Sequence, residues 1–303
     1  MSKKSKNNKR NKTVKLWLEG ARLRTLPLAI APVILGAGAA WASNKFSWTL
    51  TLLALAVALF LQIGVNFAND YSDGVRGTDA KRVGPLRLTG SGSTKPQSVK
   101  FAAFLFFGLA ALAGLGIVLA TQLWWLIAIG VICIVAAWFY TGGKSPYGYA
   151  GLGEIAVFIF FGLVAVMGTA YIQILHTDLL SPLFAIASGF FASAVLMVNN
   201  IRDRELDQHV GKRTLAVKLG ATWSKVAFVA MLWLPFVFVA LAAVLYPTLA
   251  MGFAAVLFTA PITLIVLTAK TPKELILVLK LTSFTSLGFS LLLLWGVGGV
   301  GLI

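Results

Sequence analysis

Six of the ten carboxylates in this 303-residue chain, Asp70, Asp73, Asp79, Asp203, Glu205 and Asp207, fall in two short polar segments. The first is NFANDYSDGVRGTDAKRVGPLRLTGSG over residues 66–92, and the second NNIRDRELDQHVGKRTLAVKLG over residues 199–220. Asn69-x-x-x-Asp73 recurs as Asn199-x-x-x-Asp203, each followed by a further Asp, a Val-Gly pair, an Arg and a Thr. On a helix Asn66, Asn69, Asp70 and Asp73 follow i, i+3, i+4, i+7 and share one face. Asn199, Asp203 and Asp207, four apart, share another, while Arg202 and Arg204 project elsewhere. Carboxylates gathered at low dielectric repel, so some must protonate or bind cations. A divalent metal answers this, and Mg²⁺ takes oxygen ligands and bridges one or two carboxylates to phosphates. The interleaved Arg82, Arg87, Lys144, Lys212 and Arg213 would meet the phosphate charge. An anion alone would avoid the acids; a metal-bound diphosphate suits both signs.

The elements that must position these residues are apolar. Hydrophobic residues make up 58% of the chain and charged ones 12%, with a mean hydropathy of +0.86, which excludes an ordinary water-soluble globule. Apolar runs long enough to cross a bilayer as helices lie near 25–43, 49–69, 99–121, 123–141, 154–174, 182–201, 223–245, 248–269 and 281–302. The expected architecture is therefore an all-α bundle of nine transmembrane helices over residues 14–303, behind a disordered basic tail at 1–13. The net charge of +16 does not mark a nucleic-acid partner, because alternating the spans leaves 25 of the 26 Lys and Arg on one side and only Lys45 on the other. That side is the expected cytoplasmic face, holding the N-terminus and both acidic segments.

Charged and amide groups facing lipid are costly, so the Asn66-to-Asp73 face should look inward. Arg22 and Arg24 sit at the mouth of the first span, able to snorkel or to face a phosphate. The turn TGGKSPYGYAGLGE after Tyr140 holds Lys144, Tyr147, Tyr149 and Glu154, with Glu154 suited to a helix N-terminus. His209 beside Lys212 and Arg213 reads as a surface residue. Cys133, the one cysteine, can form no internal disulfide and reads as a small lipid- or core-facing residue. Gly108, Gly114 and Gly116 suit close helix packing.

A diphosphate site opening into an apolar bundle suggests a substrate with a long hydrocarbon tail. Such a lipid can ionise at an allylic carbon when cations stabilise the departing pyrophosphate. Aromatic faces would steady the cation and an electron-rich aromatic would trap it.

NDYSDGVRGTD with RVGPLRLTGSG, PYGYAGLGE, the second acidic segment and ARLRTLPLAIAPVILG near the start together resemble the UbiA superfamily of intramembrane aromatic prenyltransferases. More narrowly they resemble its 1,4-dihydroxy-2-naphthoate polyprenyltransferase branch. The resemblance runs over roughly residues 20–300. The first motif's last acid is Asp79, two residues beyond Gly77, the position the commonest form of the family pattern would use. The resemblance implies a bacterial inner-membrane enzyme that uses Mg²⁺ and carries a polyprenyl group from its diphosphate to 1,4-dihydroxy-2-naphthoate, releasing CO2 and diphosphate. It implies Asp73, Asp203, Asp207, Asn69 and Asn199 as the catalytic set and Asp73, Asp79, Asp203 and Asp207 as metal ligands. Arg22, Asn66, Asp70, Arg82, Arg87, Lys144, Tyr147, Lys212 and Arg213 would contact substrate. A relative using 4-hydroxybenzoate or homogentisate is the near alternative. A secondary transporter with paired halves is the distant one, though its charges belong at the midplane rather than at the cytoplasmic ends.

Overall fold

A computed structural model of the chain describes residues 14–78 and 86–298. The described residues are helical, without strands. A short helix α1 (residues 14–21) turns at Arg22, whose φ is 54°, and leads through a 3-10 turn at Leu23–Thr25 into α2 (Pro27–Ala42). Pro27 opens α2, where its missing N–H costs nothing. α3 (Trp48–Arg76) begins where the Ser47 hydroxyl accepts from Leu50 N at 3.4 Å and ends at Gly77, φ 73°. It thus continues about two turns past the expected span and carries the first acidic motif on rigid helix. α4 (Pro96–Thr121) and α5 (Leu126–Phe139) follow, then α6 (Gly153–Ile174), whose middle, Phe158–Met167, is wound as a π-helix. α7 (Leu180–His209), α8 (Leu215–Leu245), α9 (Pro247–Thr268) and α10 (Pro272–Gly298) complete the bundle.

Each expected apolar run falls on a helix, but length divides them. Among the described residues seven helices are long and apolar enough to cross a membrane, and an eighth span results if α1 and α2, bent by 46°, count together. α5 has 14 residues, roughly 21 Å, against the roughly 30 Å of a hydrocarbon core. Its run loses residues to the turns at Trp124 and Trp125 and after Tyr140, which periodicity alone does not locate.

α7 is the central helix, with 72% of its most apolar window buried inside the protein. It packs with α2, α6, α8 and α10 around Phe184, Phe191, Phe228 and Phe289, while α1, α3 and α4 form a second cluster around Phe67, Val99 and Phe107. Of the glycines expected to pack closely, Gly116 of α4 does so, a Cβ there meeting Leu53 of α3 at 3.3 Å, and other glycines approach more closely still. Gly64 of α3 lies under the Phe107 ring, and Gly162 of the π segment abuts the backbone of α7 at Ala185 and Gly189. By contrast Gly108 of α4 faces open space.

Candidate functional site

A cavity of about 660 Å³ separates the two clusters. Its polar end is walled by Asn69 and Asp73 from α3, Asn199, Asp203 and Asp207 from α7, and Lys212 from the α7–α8 connection. Beyond Thr141 and Tyr140 the wall turns apolar, through Val57 of α3, Leu115 of α4, Ile127 and Val131 of α5, and Phe160 and Val164 of α6. The two acidic segments, far apart in the chain, therefore border one chamber. The π segment contributes Phe160, Phe161, Val164 and Ala165 to that wall.

Asp73 is 5% exposed and is held from three directions. Its Oδ1 accepts from the Tyr149 hydroxyl and from Lys212 Nζ at 3.2 Å, and Oδ2 lies 3.7 Å from Arg87 Nη2. Lys212 Nζ also reaches Asp207 Oδ1 at 3.9 Å, tying the two motifs together. Burial alone would favour the neutral amine, yet Asp73, Tyr149 and Asp207 outweigh it and hold the Lys212 pKa above its ordinary value. The stabilisation is fully present below the lysine pKa of the unfolded chain and is lost only as pH rises through the higher folded one.

Tyr149, in a turn outside either acidic motif, has a part in the site that no spacing pattern marks. Its ring carries Lys212 Nζ 4.4 Å and the Arg76 guanidinium 5.3 Å from its centroid, so it is already engaged by two cations. Burial and Asp73 push its hydroxyl pKa up, so it stays a proton-bearing donor. Tyr149→Phe keeps the ring and deletes one donor to Asp73. About a fivefold to tenfold loss of turnover is expected, the scale of one hydrogen bond. Unchanged turnover would mean that this contact contributes nothing.

Arg202 departs from the helical-face expectation. Its long side chain folds back, with Nε and Nη2 donating to Asp203 Oδ1 and Oδ2 at 2.7 and 2.6 Å and Nη2 also to Asn199 Oδ1 at 2.8 Å. The side chain is 3% exposed. Asn69 Oδ1 is similarly tied, accepting from Thr141 Oγ1 at 2.8 Å. Asn66 also lines the cavity, but both contacts of its Nδ2 run to the protein, Ala21 O at 2.9 Å and Thr25 Oγ1 at 3.2 Å, pinning α1 and the turn after it to α3. Arg22, Arg87 and Tyr147 are in the cavity wall. Burial pushes the Tyr147 hydroxyl up to about 12, and it donates to Ala136 O at 2.8 Å.

Three expected substrate contacts lie elsewhere. Asp70 is fully buried and outside the cavity wall, its two oxygens accepting from Leu88 N and Thr89 N, both at 2.8 Å. It anchors the loop that brings Arg87 to Asp73. Lys144 is exposed at the tip of the turn after Tyr140, because Gly143, φ 75°, swings the chain outward. Arg213 is exposed too, and what the turn uses is its backbone N–H, donating to Tyr149 O at 2.8 Å. Asp79 and Arg82 fall outside the described residues. Cys133 lines the apolar wall, and His209 is exposed. Glu154, at the start of α6, is buried and accepts from Asn200 Nδ2 at 2.9 Å.

Fold and site together define a multi-helix membrane protein whose apolar chamber ends in a mouth of paired acids and bases. Residues 29–284 match the UbiA prenyltransferase family, and the chain belongs to that family. A 1,4-dihydroxy-2-naphthoate octaprenyltransferase of Mycobacterium tuberculosis is 56% identical over 204 residues, 67% of this chain and 70% of that one. The enzyme of the same description from Escherichia coli is 45% identical over 214 residues, 67% of this chain and 68% of that one. Among solved structures, a UbiA homolog from Archaeoglobus fulgidus bound to GPP and Mg²⁺ superimposes with a TM-score of 0.65 over 92% of this chain and 99% of that one, at 14% identity. At that identity the likeness is one of fold.

Proposed function

We infer that this protein transfers a polyprenyl group from its diphosphate to 1,4-dihydroxy-2-naphthoate, releasing CO2 and pyrophosphate and forming a demethylmenaquinol, the reduced form of a demethylmenaquinone. The observation that carries the inference is the single cavity that joins Asp73, Asp203, Asp207 and Lys212 to an apolar chamber. A charged head and a hydrocarbon tail need those two environments side by side.

The donor set suits Mg²⁺, since every anionic group in the mouth is a carboxylate oxygen. Among the described residues no three His, Cys, Asp or Glu side chains form a ready-made cage. That accords with an ion that takes one or two protein carboxylates and completes its shell with water and substrate phosphate. Asp73, Asp203 and Asp207 would hold it. When bound, it supplies positive charge that eases departure of the diphosphate. Lys212 and Arg87, already beside Asp73, meet phosphate oxygens, and Arg22 extends the basic wall toward the acceptor.

The allylic C–O bond breaks with its electron pair leaving on the diphosphate, and the electron-rich ring supplies the pair for the new C–C bond. Attack at the carbon bearing the carboxylate makes that carbon tetrahedral; the bond to CO2 then breaks and returns its pair to the ring. The apolar wall keeps water from the cation. The excess of Lys and Arg on one side supports a mouth and N-terminus that face the cytoplasm from a bacterial inner membrane.

Purified protein in detergent, given one prenyl diphosphate and Mg²⁺, should convert 1,4-dihydroxy-2-naphthoate to prenylated product with one CO2 per turnover. Chelation of the metal should stop it and added Mg²⁺ restore it. Preference for 4-hydroxybenzoate or homogentisate would reassign the acceptor. Absence of product with all three would overturn the enzymatic reading in favour of a carrier.

A further inference from the structure

The residues of α6 that border the cavity come in pairs four apart, from Ala156 and Val157 through Phe160 and Phe161 to Gly168 and Thr169, and end at Ile172. On an α-helix of 3.6 residues per turn a repeat of four runs ahead by about 40° at each step, so by Ile172 the stripe would have wound about 160° round the helix, away from the chamber. The π segment at Phe158–Met167 prevents this. Its i→i+5 bonds take more residues into each turn, so the repeat of four falls behind there instead of running ahead, and the two drifts offset. One stripe of α6 therefore faces the chamber from the mouth to its far end.

Contacts between helices mark that far end. Gln173 Oε1 of α6 accepts from Ser47 N at 2.7 Å at the start of α3, and Tyr171 meets Trp125 in the turn before α5, with ring centroids 5.7 Å apart. Gly168 lies about one turn before these contacts. It is half-buried and borders the cavity, yet nothing stands within 4 Å of the position its Cβ would take. Gly162 of the same helix differs, with backbone of α7 only 2.5 Å from its Cβ position. The open space at Gly168 is thus chamber, whereas Gly162 is a helix contact. Along α3 the cavity wall runs from Asp73 to Ala54, roughly 28 Å of helix. An isoprenoid unit, four bonds of about 1.5 Å in a zigzag, advances roughly 5 Å when extended. A tail of two units stops well short of Gly168, and one of about five or more reaches it.

We propose that α6 sets the length of prenyl tail this protein accepts: its π segment keeps one face along the tail, and Gly168 is the specificity-determining residue whose missing side chain admits long tails. The proposal rests on the prenyl-transfer reading above and deepens it to the length of the donor.

The test is kcat/KM of the purified full-length protein with prenyl diphosphates of two and of eight isoprenoid units, read as the ratio of the long donor to the short one, with thermal midpoints measured alongside. Gly168→Leu fills the open space and should lower that ratio about 10- to 200-fold, the range for a misfit in a hydrophobic pocket. Gly168→Ala should lower it by less, in the same direction, at an equal or raised midpoint, since alanine suits a helix better than glycine. Gly108→Leu, where the Cβ position is equally open but outside the cavity wall, should leave the ratio as it is. An unchanged ratio in Gly168→Leu, or a loss of the same size for both donors, would overturn the proposal. Should Gly168→Leu lower the midpoint, Gly168→Ala decides, and an unshifted ratio there overturns it. If the wild-type protein transfers neither prenyl group, the function proposed above falls together with this one. If it transfers them and the variants keep its ratio, only this one falls.

Discussion

Asp73→Ala is expected to lower prenyl transfer on the order of 10²- to 10³-fold or more while the protein stays folded in detergent. The effect is large because Asp73 is the meeting point of the site. Its carboxylate takes the Tyr149 hydroxyl, the Lys212 ammonium and, at 3.7 Å, the Arg87 guanidinium, and the other motif joins through the contact of Lys212 with Asp207. Deleting it removes a carboxylate proposed to hold the cation and also leaves Lys212 with one buried acid instead of two. Asp203→Ala should cost about as much, and the double variant little more, since groups that act as a unit are not additive. The check is the rate of each variant with Mg²⁺ and a prenyl diphosphate, normalised to the folded fraction. More than a tenth of wild-type turnover in Asp73→Ala would remove this carboxylate from the reaction.

Gly162→Val carries the largest expected effect on the fold. A Cβ at Gly162 would stand 2.5 Å from Ala185 O, 2.8 Å from Gly189 Cα and 2.9 Å from Gly189 N, all backbone atoms of α7 that cannot rotate aside. The π segment would have to lift from the central helix and take the Phe160 and Phe161 wall of the chamber with it. A loss of about 3 kcal/mol or more is expected, at the upper end of overpacking penalties. Gly108→Ala is the control, because nothing lies within 4 Å of its Cβ position. It should leave the thermal midpoint unchanged or raise it slightly, helix glycine being about 0.5–1 kcal/mol worse than alanine. Equal midpoints for the two variants would contradict the packing described.

How far the sequence leads can be seen residue by residue. Asn69, Asp73, Asn199, Asp203 and Asp207 were legible because a helical repeat puts them on a face and because charge facing lipid is costly. The repeat is blunt at the edges of a stripe. Asp70 shares the stripe with Asn66 and Asp73, yet it lies one residue round from Asn69, far enough to serve the backbone of Leu88 and Thr89 instead of the cavity. Arg202 was missed for the opposite reason. Its Cα is on another face than Asp203, but a guanidinium on three methylenes can double back, and periodicity describes where a side chain starts rather than where it ends. Tyr149, Lys144 and Arg213 sit in turns, where no repeat operates. A single left-handed glycine at 143 sends Lys144 outward, whereas Tyr149 is drawn in by Asp73, Lys212 and Arg76. Nine apolar runs could be counted, but the shortness of α5 depends on turns whose ends composition does not mark.

Both acidic motifs are proposed to grip one diphosphate while its tail fills the chamber between α3, α4, α5 and α6. A cryo-electron microscopy map of the protein with Mg²⁺ and an unreactive prenyl thiolodiphosphate tests it directly. The expected map has one diphosphate in contact range of the carboxylates of both Asp73 and Asp203, with the tail running past Val131 and Phe160. A diphosphate held by only one motif, or a tail lying outside the chamber, would contradict it.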